Sequence, residues 1–255
     1  APADSGITIV RTDLDGNPSI PALAAYVVDV NRATSLANDG VTVHTVEHVL
    51  AALYGCGIDN ALIEMDSPEP PIADGSSAPY VALLKGAGVT TQNAVRHRFT
   101  VTEPLFIRSG DSRLIMLPAD TYRITCTVKF GASMLDTQFL SLEISDTTFD
   151  QDISPARTFC LYEEIEPLMR DGLIRGGSLE NAVVIKDGAI IARDALRFDD
   201  ELVRHKILDI VGDLSLIGRR IIGEVIAIKP GHPTNVAMAQ KIVAAMSNGE
   251  KPIAS

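Results

Sequence analysis

The 255 residues, 46% of them hydrophobic, supply enough apolar material for one large domain or two of ordinary size, so the fold needs no covalent staples. A formal charge of -11 argues against nucleic acid as a partner, because phosphate binding calls for clustered Lys and Arg. No apolar run approaches the roughly 20 residues that cross a bilayer, no charged-then-apolar signal segment opens the chain, and Cys56, Cys126 and Cys160 form no CxxC pair, so a cytoplasmic, reducing setting is expected.

In chain order, Ile7–Arg11 and Ala22–Val30 read as strands, and Gly40-Val41-Thr42-Val43-His44 alternates as a short strand before Thr45, whose hydroxyl suits a helix N-cap. A helix is predicted over Val46–Tyr54, stopped by Gly55 and Gly57. Ala61–Met65 resumes strand character, Ser67–Pro71 is a rigid turn before Asp74-Gly75-Ser76-Ser77, and Ala78–Ala87 is a second helix. The polar stretch from Gly88 to Arg98 sets a boundary near residue 95. Beyond it Phe99–Ile107, Arg113–Leu117 and Tyr122–Phe130 read as strands, Glu201–Ile217 as a long helix, Ile222–Ile228 as a strand and Asn235–Met246 as a closing helix. The order of elements repeats, so an α+β fold of two similar halves is expected, residues 1–95 and 96–255.

The most informative segment is Val203-Arg204-His205-Lys206-Ile207-Leu208-Asp209-Ile210-Val211-Gly212-Asp213. At about 100° per residue, His205, Asp209 and Asp213 fall on one stripe, while Val203, Ile207, Ile210 and Leu214 form an apolar face. Two carboxylates four residues apart repel, and no Lys or Arg stands on that stripe at the offset that would relieve them, so a cation is expected over it. Taken alone, a His-x3-Asp pattern is more often a solvated polar face. On the earlier helix, however, Glu47 and His48 are adjacent and project about 100° apart, which suits one residue binding a metal and its neighbour reaching a water beside it. Two His and one carboxylate with an open position are an ordinary set for catalytic zinc, and they suit iron(II) as well.

A competing reading is the H-x-x-E-H run of His44-Thr45-Val46-Glu47-His48, the inverted-zincin pattern of a peptidase. Against it, His44 ends the alternating strand ahead of Thr45, so His44 and His48 should not share one helix. Lys229-Pro230-Gly231-His232-Pro233 is expected to put His232 on a tight loop after a strand, where a side chain can be aimed into a cleft. His97, between Val95-Arg96 and Arg98, reads as plain surface.

Several segments together, in order and spacing, resemble the UDP-3-O-acyl-N-acetylglucosamine deacetylases, zinc enzymes of lipid A synthesis in Gram-negative bacteria. They are Thr45-Val46-Glu47-His48, Gly57-Ile58-Asp59-Asn60, Pro71-Ile72-Ala73-Asp74-Gly75-Ser76, Ala156-Arg157-Thr158-Phe159, Gly176-Gly177-Ser178, Leu196-Arg197-Phe198, Arg204-His205-Lys206-Ile207-Leu208-Asp209 with Gly212-Asp213, and Gly231-His232. The resemblance implies two β-α-α-β halves forming a sandwich with helices packed between two sheets. Each half would carry a small insertion, at about 21–43 and about 160–195. Family members carry a further segment ahead of the position matching Ala1, so the first half is expected to lack its N-terminal strand.

The resemblance also implies roles. One Zn2+ per chain would be held by His48, His205 and Asp209, with Glu47 as general base. Thr158 matches a hydroxyl that helps hold the tetrahedral oxyanion, and His232, oriented by Asp213, matches the group that protonates the leaving amine. Lys206 and Lys229 match basic positions near the phosphates or the reacting carbonyl, and Phe130 matches an aromatic that packs on uracil. Phe130 is followed by Gly131-Ala132-Ser133, without the His common there in relatives. Phe159 and Gly177 are further candidate substrate contacts, and Leu161, Ile165, Ile174, Leu179 and Val184 are candidate walls of a channel for the acyl chain. The expected partner is a UDP-linked acyl glucosamine, whose N-acetyl group is hydrolysed to a free amine and acetate by a chain acting as a monomer. A zinc peptidase, and a relative that binds UDP-sugar or acyl chains without turnover, stay as alternatives.

Overall fold

The computed structural model describes residues 1–129, 137–170, 178–187 and 189–247, with the backbone alone at 166–169. The chain opens with β1 (Ile7–Arg11) and β2 (Ser19–Pro21), an antiparallel pair in which Ile9 and Ile20 are partners and both fully buried. Ala22 and Ala24 are then buried while Leu23 and Ala25 are exposed, the alternation that reads as a strand. The Tyr26 N–H nevertheless bonds to the Leu23 carbonyl and closes a 3-10 turn over Ala24–Tyr26. The strand expected over Ala22–Val30 therefore shrinks to β3 (Val27–Asp29), which joins β4 (Ser35–Asn38) and β5 (Val41–Val43) in a small antiparallel sheet.

Next come α1 (Glu47–Gly55), β6 (Ala61–Met65), which pairs parallel to β1, and α2 (Ala78–Ala87). Thr45 does not cap α1. Its backbone is left-handed, with φ 54°, and its hydroxyl donates to Glu69 instead. The N-cap position falls to Val46, whose N–H is satisfied by the Thr34 carbonyl.

The remaining chain forms β7 (Arg98–Thr100), β8 (Leu105–Ser109), β9 (Ser112–Leu117), β10 (Tyr122–Lys129), β11 (Thr137–Glu143), α3 (Asp146–Thr148) running into a π turn over Phe149–Ile153, β12 (Phe159–Leu161), α4 (Tyr162–Arg170), β13 (Val183–Lys186), β14 (Ala189–Ile191), α5 (Glu201–Ser215), β15 (Arg220–Ile228) and α6 (His232–Ser247). The strand expected over Phe99–Ile107 is split. Its first part, β7, pairs parallel with β15, and past Pro104 its second part, β8, pairs antiparallel with β9. The large sheet has the order β11-β10-β15-β9-β8 with β7 beside β15, and β12-β13-β14 is a separate three-stranded sheet.

β10 and β15 alternate strictly, turning Tyr122, Ile124, Cys126 and Val128 with Ile221, Val225 and Ala227 to one buried face. α5 and α6 lie on that face and α1 packs on α5. The three-stranded sheet β2-β1-β6 closes the other side, so the fold is an α+β sandwich. One apolar cluster runs through it, from Ile9 and Ile20 through Leu50, Leu53, Ile207, Ile210 and Leu214 to Ile124 and Val225. Burial of each such side chain contributes about 1.5–3 kcal/mol. Because α5 is enclosed, its polar stripe is buried along with its apolar face, from Leu202 and Val203 to Leu214. Gly212 sets how closely the helices meet: a Cβ there would lie 2.2 Å from the Glu47 carbonyl oxygen, so only glycine permits this approach of α1 to α5.

Candidate metal centre

Where α1 crosses α5, the first turn of one helix meets the polar stripe of the other. His205 Nε2 lies 3.4 Å and His48 Nε2 3.9 Å from the same oxygen, Asp209 Oδ1. The two imidazoles stand edge to face, 5.0 Å apart at 88°, and one ligand atom from each of the three residues lies within 4.8 Å of the others. His48 is 5%, His205 2% and Asp209 2% exposed, so this is a buried cluster and not a solvated face. Among the described residues it is the one group of three or more such side chains arranged to hold a metal ion.

The donor set passes a test of fit. Asp209 Oδ1 is buried between two imidazoles with no hydrogen-bond partner, a costly arrangement that a coordinated cation would offset. The His205 Nδ1–H donates to the Ala156 carbonyl at 3.0 Å, which leaves the Nε2 lone pair for the centre. Burial, reinforced by His205, pushes His48 down to about 3, and burial lowers His205 too, so both rings are in the neutral, ligating form. Burial works against ionising Asp209, but Lys206, His205, His232 and His48 together hold its carboxyl well below the usual range. Two neutral imidazoles and one carboxylate suit zinc and also iron(II).

The carboxylates of α5 are better relieved than the sequence pattern suggests. Lys206 Nζ reaches Asp209 Oδ2 at 2.8 Å from three residues away, because its flexible stem lies along the helix. Asp213 accepts from the Thr34 hydroxyl at 2.6 Å, from Asn235 Nδ2 at 2.9 Å and from His232 Nδ1 at 2.8 Å.

Glu47 and His232 complete the cluster. Burial pushes the Glu47 carboxyl up to about 7 against the pull of His232, and its Oε2 accepts from the Thr34 N–H at 3.0 Å. His232 is not on a loop but is the first residue of α6; Pro233 follows at a helical position where its missing N–H costs nothing. Burial opposes charging His232, yet the charge and hydrogen bond of Asp213, with Asp209 and Glu47 behind, raise it to about 10. These groups open onto a cleft of about 490 Å³ whose lining includes Glu47, His48, Thr158, Phe159, His205, Lys206, Asp209 and His232.

Thr158 is held from both sides. Its N–H donates to the Gly75 carbonyl at 2.8 Å and its carbonyl accepts from Val183 at 2.9 Å. Gly75 has φ +82°, and a Cβ on it would lie 1.8 Å from the Asn181 carbonyl oxygen. The residue before, Arg157, donates from Nε to Glu201 Oε1 at 2.8 Å and from a terminal nitrogen to Oε2 at 3.0 Å, both side chains buried. Glu201 lies in the first turn of α5, so this pair ties the Thr158 segment to the helix that carries His205 and Asp209.

Other expected residues lie elsewhere. Lys229 is exposed, 3.2 Å from Asp111, and is not among the cleft-lining residues. Val184 is buried in β13, Leu161 packs on the Val183, Ile185 and Leu202 cluster, Ile165 is half-buried on α4 and Leu179 is exposed; none of the four lines the cleft. Phe130, Ile174 and Gly177 fall outside the described residues. His44 is exposed and bonded to Ser35 at 2.9 Å, apart from the metal-capable group, and His97 is exposed beside Asp4. Nothing in the sequence marks Thr34 or Asn235, neutral residues in no recognisable motif, or Asp29, Val30, Asn31 and Arg32 on the cleft wall. The Arg157–Glu201 pair left a faint signal, a Glu in the first turn of the helix that carries His205 and Asp209.

The family whose sequence profile matches residues 1–244 is described as LpxC, UDP-3-O-acyl N-acetylglycosamine deacetylase. A protein of Myxococcus xanthus (strain DK1622) is 48% identical over 243 residues, 95% of this chain and 77% of that protein. One of Anaeromyxobacter sp. (strain Fw109-5) is 46% identical over 96% of this chain and 80% of its own length, and one of Syntrophotalea carbinolica is 44% identical over 96% and 79%. All three are named UDP-3-O-acyl-N-acetylglucosamine deacetylase.

Proposed function

Since the chain belongs to the UDP-3-O-acyl N-acetylglycosamine deacetylase family, we propose that it hydrolyses the N-acetyl group of UDP-3-O-((R)-3-hydroxyacyl)-N-acetylglucosamine in a zinc-dependent reaction, giving the free amine and acetate, the committed step of lipid A biosynthesis. The observation that carries the zinc chemistry is the buried triangle of His48, His205 and Asp209, with its unpartnered carboxylate oxygen. Held there, the ion would supply Lewis acidity and a water acidified toward a pKa of about 7.

The chain's own groups divide the proton work. Glu47, next to His48, accepts the proton of the attacking water; its carboxyl, pushed up to about 7, is poised to take a proton and give it back. Lys206 and the Thr158 hydroxyl at the cleft wall stabilise the charge that develops on the acetamide oxygen. His232, kept cationic by Asp213, donates to the departing amine nitrogen as the C–N bond breaks. Water adds across the amide, and one amine and one acetate leave. Phe159, whose ring lies 5.1 Å from Lys206 Nζ, supplies an apolar face beside the substrate.

On the same reading the chain divides near residue 95 into residues 1–95 and 96–255, with inserts at about 21–43 and 160–195. Support comes from the strand ladders, none of which crosses that boundary among the described residues. Lys229, Phe130 and Gly177 would contact the nucleotide or sugar, and Leu161, Ile165, Ile174, Leu179 and Val184 would be walls of a channel for the acyl chain. The chain would act as a monomer in the cytoplasm of a Gram-negative bacterium; among the described residues no helix is long and apolar enough to cross a membrane.

Acetate release from the UDP-linked substrate tests the proposal. Glu47→Ala and His232→Ala should each lower kcat by about 100-fold or more while retaining one metal per chain. Near-normal turnover in both would sink the mechanism, and binding of substrate without acetate release by the unaltered chain would favour a binding-only relative. Asp209→Ala should lose the metal and His44→Ala keep it; the reverse would restore the peptidase reading.

A further inference from the structure

Thr34 touches both sides of the proton chemistry. Its N–H donates to Glu47 Oε2 at 3.0 Å, its hydroxyl donates to Asp213 Oδ1 at 2.6 Å, and His232 Nδ1 lies 3.5 Å from the same hydroxyl. Its carbonyl accepts from the N–H of Val46, at the start of α1, at 3.3 Å. Thr34 and Asp213 have no exposed surface and Glu47 has 2%. One residue at the entry to β4, outside the three helices, thus engages α1 through Val46 and Glu47, α5 through Asp213, and α6 through the Asp213 bond to His232.

A hydroxyl has a single proton to donate, and Thr34 gives it to Oδ1 of Asp213. Oδ2 takes His232 and Asn235. With both oxygens committed, the carboxylate plane is fixed, and so is the imidazole that leans on it. Removing the hydroxyl would leave Oδ1 buried without that donor and free the carboxylate to turn, since the terminal torsion of an Asp is broad.

We propose that Thr34 is a positioning residue that holds Glu47 and the Asp213–His232 pair in one register, so that the group accepting a proton and the group returning it face the same reacting bond. The roles of those groups rest on the deacetylase reading; their arrangement rests on the hydrogen bonds.

Thr34→Val keeps the shape and both backbone bonds and deletes only the hydroxyl, while Thr34→Ser restores it. In metal-loaded protein Thr34→Val should lower kcat about 10-fold, with KM within about twofold and metal content unchanged, and Thr34→Ser should stay within about threefold of the unaltered chain. The downfield proton resonance of the His232 Nδ1–H should shift or broaden in the Val variant and not in the Ser variant, with or without metal. Unaltered kcat with an unshifted resonance in Thr34→Val would overturn the proposal, as would a Ser variant as slow as the Val variant. The resonance is read without substrate. If the unaltered chain released no acetate, the deacetylase reading would fail while the resonance still decided the role of Thr34. Should Thr34→Val not fold, Thr34→Ala removes the same hydroxyl from a smaller side chain and carries the same expectations.

Discussion

At the seam of α1 and α5, with His232 of α6 beside it, Glu47, His48, His205, Asp209, Asp213 and His232 are all buried, and Thr34, Ala156, Lys206 and Asn235 lend them hydrogen bonds; across the cleft, Arg32 meets Glu164 of α4 at 2.7 Å with side chains 44% and 30% exposed. Both regions are rich in charge, but only in the first has water been excluded. There a misplaced group leaves a neighbour unsatisfied in a low dielectric, so the geometry is over-determined. In the second, solvent stands in for any partner that moves away. The seam therefore tolerates little substitution, and the Arg32–Glu164 pair tolerates more.

Three substitutions sharpen that contrast. The largest effect is expected from Glu201→Gln, which leaves the buried Arg157 guanidinium without its counter-charge and should destabilise the chain by about 3 kcal/mol at neutral pH in denaturant unfolding. Burial works against ionised Glu201, but Arg157 and the N–H groups of Arg157 and Arg197 hold its carboxyl below the ordinary value. Its contribution is thus full above the ordinary carboxylate range and fades as pH falls through the lower folded value. The gap between the two proteins should close in acid, and a gap independent of pH would show that charge is not the cause.

Gly212→Ala comes next. The new methyl would meet the Glu47 backbone, so α1 or α5 must shift, at a cost of about 1–3 kcal/mol. The shift acts on the centre itself, so metal affinity should fall together with the melting temperature; unchanged affinity would mean that the helices part elsewhere. The smallest effect belongs to Arg32→Ala, which should change stability by less than about 1 kcal/mol. A loss larger than that of Gly212→Ala would erase the distinction between seam and wall.

The legible part of the site was the part that broke a pattern. His205, Asp209 and Asp213 interrupt an apolar helical period, and ionisable groups on a helix that must be buried require a reason. Glu47 and His48 do the same on α1, where every residue from Glu47 to Gly55 is buried. Thr34 and Asn235 break no pattern, because a neutral polar residue near a turn or helix start is ordinary. Thr45 misleads for a related reason: the sequence offers a capping hydroxyl but does not reveal the left-handed backbone that carries it to Glu69. Ala22–Tyr26 alternates as a strand does and still closes into a 3-10 turn, since periodicity reports which side chains are buried and not where the N–H groups go.

By itself the sequence determined the helices α1, α2, α5 and α6, the strands β1, β5, β6, β9, β10 and β15, the apolar face of α5 and the three metal-capable residues, because spacing along a helix or strand is a local property of the chain; α4 and the strands β11 to β14 were not legible in it. Only the tertiary structure decided that these groups converge. The parallel pairings of β1 with β6 and β10 with β15, the close approach allowed by Gly212, and the partners lent by Thr34, Ala156 and Asn235 are contacts between residues far apart in sequence. Burial then shifts His48, His205 and Glu47, and neighbouring charges shift His232 and Asp209, away from their ordinary protonation; both burial and those neighbours come from packing that no single helix possesses.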